Sequence, residues 1–208
     1  MKRFLLLIIV LGTMIFNNCT FKIIAPPPRE LKYDQERLPQ KAAIFIPPNV
    51  ASQEVSIGGL LCIGPVHKWD ILVGNSLRNY SIEYFNTLFK KTKFYEMRSD
   101  FISDENIDLI IEPSIRDFDI SQSLKVELNL RCLVLDREGQ TIYESEFYGE
   151  TQESQAVEEA YLRGVLVGEY ALRDSLGSAL DDAFKKLLLH LRTGESWERL
   201  RLGVKRQR

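Results

Sequence analysis

Few side chains in this 208-residue chain are suited to catalysis or metal binding: three cysteines, Cys19, Cys62 and Cys132, and two histidines, His67 and His190. No Cys-x-x-Cys pair or zinc-type Cys/His spacing occurs, and a histidine-dependent triad would have only these two imidazoles to use. His67 has the more diverse neighbours, Lys68 and Asp70 around Trp69, yet no GxSxG segment accompanies it. His190 falls late in a helical stretch, where the helix C-terminus explains an imidazole. Asp117 and Asp119 alternate on one strand face and could approach a cation, but one strand supplies too few ligands for a calcium loop. Asp174 and Asp181 are about 10 Å apart along a helix axis, too far to share a site. The Gly58-Gly59 and Gly64-Pro65 stretches match neither GxGxxG nor GxxxxGK[ST]. These residues predict no catalytic group, no metal and no cofactor.

Cys19 stands apart because of what precedes it. Lys2 and Arg3 form a basic start, Phe4 to Phe16 an apolar run, and Asn17-Asn18 a polar exit, the pattern of an export signal. As a helix the run spans about 20 Å, short of a hydrocarbon core of about 30 Å, so removal is expected rather than retention as a span. The segment resembles the lipoprotein signals of bacterial envelopes, in which the cysteine is diacylated and becomes the new N-terminus. It departs from that pattern at Phe16-Asn17-Asn18, where Leu and a small residue are usual. The resemblance implies a signal peptide over 1–18 and lipid on Cys19; a cleaved soluble signal and a retained anchor are the alternatives. Two or three acyl chains, at about 0.8 kcal/mol per buried methylene, would hold the protein to a membrane without spanning it.

The 27 basic and 29 acidic residues give a formal charge of -2, which does not suit a general nucleic-acid binder. In an oxidising compartment Cys62 and Cys132 either pair or leave Cys132 as a small buried hydrophobe on a strand face. Pro26 to Pro28 give residues 20–40 the character of an extended tether, so 19–40 is expected to carry the lipidated cysteine and lift a domain spanning 41–192. Residues 193–208 set Trp197 and Leu200 among Arg199, Arg201, Lys205, Arg206 and Arg208. That basic tail suits solvent, anionic lipid or an acidic partner.

The elements positioning these groups follow from periodicity. Ala42 to Ile46 reads as a strand stopped by Pro47-Pro48, and residues 49–73 as an irregular segment with room for a hairpin. Leu77, Tyr80, Ser81, Tyr84, Phe85, Leu88 and Phe89 recur at helical spacing, with Arg78, Glu83, Asn86 and Lys90 opposite. A short strand over 93–97 follows. Period-two alternation then runs through 107–115, 124–134 and 141–150, an antiparallel meander with a turn at Asp136-Arg137-Glu138-Gly139. A regular helix over 169–192 ends at Thr193-Gly194. The fold class is α+β, an antiparallel or mixed sheet covered on one side by two main helices, its other face solvated or open to a partner.

On the passages KAAIFIP, GNSLRNYSIEYFNTLFKKTKFYE, LRCLVLDREGQTIYESEF and LGSALDDAFKKLLLHL, the domain resembles small α+β lipoproteins of Gram-negative envelopes, of the YajG-like or transporter-auxiliary type. The resemblance implies a non-enzymatic, lipid-anchored module facing the periplasm from the outer membrane and binding a protein partner in envelope assembly or transport. The segment around His67, Trp69 and Asp70 is the candidate partner-binding surface, with Trp69 as a turn anchor in the core the plainer reading. A structural lipoprotein without a discrete partner, a secreted small-ligand-binding protein and a hydrolase are the alternatives.

Overall fold

The computed structural model describes residues 19–28, 31, 36–58, 67–102, 106–121, 123–151 and 165–202. In chain order these form β1 (Cys19–Ile23), β2 (Leu38–Phe45), α1 (Pro48–Ala51), β3 (Val55–Gly58), β4 (His67–Ile71), α2 (Val73–Leu88), β5 (Phe89–Tyr95), α3 (Arg98–Ile102), β6 (Leu109–Ile120), β7 (Val126–Asp136), β8 (Thr141–Glu150), α4 (Val165–Arg192) and α5 (Gly194–Leu202). The fold is α+β, with strands in two sheets ordered β1-β4-β3 and β5-β2-β6-β7-β8.

Alternation makes the meander. Val126, Leu128, Leu130, Cys132 and Val134 are buried on one face of β7, while Glu127, Asn129 and Arg131 turn to the other. β7 runs antiparallel to β6 and β8, and the turn before β8 uses Gly139 at φ +82°, where a side chain would be strained. The expected strand start at Leu124 moves to Val126. Leu124 itself adopts φ +62° in the preceding turn and still buries its side chain. β2 joins this meander in parallel with both β5 and β6, so the sheet is mixed. Pro113 lies beyond the part of β6 that β2 reaches, so its missing amide costs no ladder bond on that side.

Two helices cover one face of the larger sheet. α2 buries Leu77, Tyr80, Tyr84, Phe85 and Leu88; α4 buries Leu172, Leu176, Leu180, Phe184 and Leu187. Full burial of each such side chain stabilises by about 1.5–3 kcal/mol. The helices meet through Tyr84 and Phe184, stacked at 4.9 Å, and through the Tyr84 hydroxyl, which donates to Asp181 Oδ1 at 2.7 Å. Desolvation, then the Asp181 carboxylate, pushes the Tyr84 phenol well above its usual range. α4 lies hard against β8: a Cβ on Gly149 would fall 2.2 Å from the Ala179 carbonyl oxygen.

The opposite face is not uniformly open. Ala43, Phe45, Tyr95, Ile107, Ile110 and Leu135 form a second, smaller buried cluster at the β5-β2-β6 end. Over β6–β8 that face carries Asp117, Glu127, Arg131, Glu144 and Glu146 in solvent or half-exposed. Both sheet edges resist strand addition. β5 exposes Lys90, Lys91 and Lys93, and on β8 Lys186 Nζ donates to the Tyr148 carbonyl oxygen while Asp182 accepts from the Glu150 amide.

The ends of the domain differ from expectation. Residues 19–40 are not a free tether where they are described, and the fold does not begin at Lys41. β1 pairs in parallel with β4, the Leu72 amide donates to the Ile23 carbonyl oxygen at 2.8 Å, and the Ala25 amide donates to Ser76 Oγ at 3.0 Å. Ile23, Ala25, Leu38 and Gln40 are buried. The reason is a short alternation, Phe21-Ile23-Ala25, that the prolines mask. Pro26 then packs where Gly177 lacks a side chain; a Cβ there would lie 3.0 Å from Pro26 Cδ. At the other end, the expected tail from Gly194 re-enters helix as α5, buries Leu200 and receives Gln40 Nε2 at the carbonyl oxygens of Leu200 and Arg201. Residues 203–208 lie outside the described part.

Candidate functional site

The candidate residues named from the sequence converge on the small sheet. Cys19 opens β1 and stands in parallel register with His67, the first residue of β4; Thr20 faces Lys68, Phe21 faces Trp69 and Lys22 faces Asp70. β3 runs antiparallel on the far side of β4, with Gly58 opposite Lys68 and Ser56 opposite Asp70. Cys19, Gly58 and His67 thus mark one end of this sheet. Ile23 and Ile71 mark the other, where α2 begins.

Alternation sorts the side chains of β4. Trp69 and Ile71 point into the main core, where Trp69 is 3% exposed. Lys68 and Asp70 take the outer face. There Asp70, its side chain only 12% exposed, accepts from Ser56 Oγ at 2.7 Å and pairs with Lys68 Nζ at 3.1 Å. The Ser56 hydroxyl first, and Lys68 next, hold its carboxyl below the usual carboxylate range. Trp69 and Asp70, two of the three candidate partner-binding residues with His67, are therefore engaged by the fold and offer little surface to a partner. Trp69 anchors the strand, and Asp70 ties β4 to β3.

A groove unsuspected from sequence opens beyond the Ile71 end. It measures about 430 Å3 and lies between α1, the first turns of α2 and the carboxyl ends of β2 and β5. Ile46, Pro48, Ala51 and Phe94 give it apolar walls, while Arg78 and Glu96 give it charge. Arg78 lies over the Phe94 ring at 4.2 Å and reaches Glu96 Oε1 at 3.7 Å. Apolar walls beside a solvent-exposed ion pair suit a side chain or short segment of another protein. Arg78 reads in sequence only as the polar side of a helix, and its groove partners arrive from separate elements.

Cys132 is a free, fully buried thiol on the core face of β7; burial pushes it up to about 12, so it is held as an unreactive thiol. This favours the small-hydrophobe reading over a Cys62–Cys132 disulfide. Cys62 lies outside the described residues. Asn129 Nδ2 donates to Asp117 at 2.9 Å, and among the described residues no group of three or more His, Cys, Asp or Glu is arranged to hold a metal ion. Among them, too, no helix is long and apolar enough to cross a membrane.

No family model matches the chain, and no curated protein matches it. Among solved structures, one of an uncharacterized protein is similar over 82% of this chain and 99% of its own, at 13% identity and a TM-score of 0.40. The hypothetical protein CT253 from Chlamydia trachomatis is similar over 74% of this chain and 95% of its own, at 11% identity and a TM-score of 0.41. At these scores neither likeness bears on function.

Proposed function

We propose that this protein is a non-enzymatic, lipid-anchored module of the bacterial envelope, held through Cys19 on the periplasmic side of the outer membrane and binding a protein partner in envelope assembly or transport. The observation that carries the reading is the position of Cys19. It begins an edge strand, so an upstream segment can be cut away and acyl chains attached without opening any described pairing. The apolar groove beside Arg78 and Glu96 is the recognition surface, replacing the buried Trp69–Asp70 segment.

The test is the mass and membrane partition of the mature N-terminal peptide, wild type against Cys19→Ala. A diacylated Cys19, with release or blocked processing in the variant, supports the anchor; an unlipidated soluble chain refutes it. A photo-crosslinker at Asn75, exposed at the groove, should then capture one discrete protein from solubilised membranes. Capture abolished by Arg78→Glu assigns recognition to the groove. Capture of none, with the anchor intact, leaves a structural lipoprotein instead.

A further inference from the structure

We infer that the Cys19 end of the small sheet is seated directly on the phospholipid bilayer, so that the anchor holds the domain in a fixed orientation rather than on a tether. The inference rests on the lipid-anchor reading above. Its own ground is the register of β1: the residue that would carry the acyl chains is already paired with His67, and its neighbour Thr20 with Lys68. No free residue separates anchor from fold. Adjacent strands lie about 4.8 Å apart, so β4 and β3 end within about 10 Å of the acylated residue.

The described chain that follows is held at three points. The Ile23 carbonyl oxygen accepts from Leu72, Ala25 is bonded to Ser76, and Pro26 is wedged at Gly177. The sheet must therefore meet the headgroups wherever the acyl chains enter.

The residues at that end fit such a surface. Lys68 is 55% exposed at its side chain and Thr20, opposite it, is exposed, while Lys22 is exposed two residues further along β1. The Lys68 ammonium is held by Asp70 at 3.1 Å, and at such a surface the two lysine stems would lie along the apolar boundary. Tyr170 is 66% exposed, and its place follows from two contacts. Arg173 Nη2 donates to the Lys22 carbonyl oxygen, and Pro26 meets Gly177, so α4 and the N-terminal chain run side by side in the same direction. Tyr170, one turn before Arg173, lies toward Cys19, where an aromatic ring with a polar tip suits a membrane interface.

The test uses the full-length lipidated protein in phosphatidylethanolamine/phosphatidylglycerol vesicles, with p-benzoylphenylalanine placed singly at Lys68, Tyr170, Asn75 or Gln140. All four positions are exposed and remote in sequence from Cys19. Only a seated domain brings the first two to lipid, and lipid adducts should exceed those at Asn75 and Gln140 by about tenfold. The mass of the N-terminal peptide is read in the same samples. An acylated Cys19 with equal adduct at all four positions overturns the seated orientation and leaves the anchor standing. An unacylated Cys19 overturns both.

Discussion

Ser76→Ala is the sharpest probe of how the N-terminal chain is held. Ser76 is fully buried in the first turn of α2, where its hydroxyl accepts from the Ala25 amide at 3.0 Å and donates to the Leu72 carbonyl oxygen at 3.0 Å. Leu72 keeps a partner in the variant, because the Ser76 amide also donates to it at 3.1 Å. The Ala25 amide does not. Alanine opens almost no cavity, so the cost is that of one buried unsatisfied donor, about 1–3 kcal/mol. With a urea m-value of about 2 kcal/mol/M, the midpoint should fall by about 1 M. Hydrogen exchange supplies the second readout: amide protection should drop at Ala25 while Leu130 in β7 keeps its protection relative to global stability. A midpoint within 0.2 M of wild type, with Ala25 as protected as before, would refute the account of residues 23–26 as a strap fixed to α2.

Three further outcomes are expected. Gly149→Val should cost about 3 kcal/mol or more in thermal or urea unfolding, because its Cβ would collide with the α4 backbone at Ala179 rather than with a movable side chain; a near-neutral result means α4 does not lie against β8. Leu200→Ala should cost about 2–3 kcal/mol in the same assay if α5 is docked, against almost nothing for a solvated tail. Asp70 has a folded pKa below its unfolded value, so its contribution to stability is complete above about pH 4 and is lost as pH falls through the folded value. Asp70→Asn should therefore flatten the acid side of a plot of urea midpoint against pH, and parallel curves below pH 4 would contradict the assignment.

The meander and the two long helices were legible because their signals are local and repeated. Five alternations from Val126 to Val134 leave little choice of face, and the Leu77-to-Leu88 stripe fixes α2. The small sheet was not legible as a unit. β3 offers four residues and β4 five, and the partner of β1 lies across a parallel pairing that leaves no local mark in either strand. Prolines after Ala25 point to an extended chain and are silent about what the chain packs on. Trp197 and Leu200 are too few, among arginines, to announce α5 by periodicity. For the candidate site, the run before Cys19 marks that residue in sequence, whereas burial of Trp69 and Asp70 depends on how β4 packs. The groove needed the tertiary approach of Arg78, Phe94 and Glu96.

The contact between Arg173 and the Lys22 carbonyl oxygen joins residues 151 positions apart, and the Pro26–Gly177 packing spans a similar distance. Chains are made N-terminus first, so this seam cannot close until most of the polypeptide exists. While α4 is still absent, the stretch from Cys19 to Pro28 lacks the surface that later flanks it, so the first strand of the chain is among the last parts of the fold to be held in its final place.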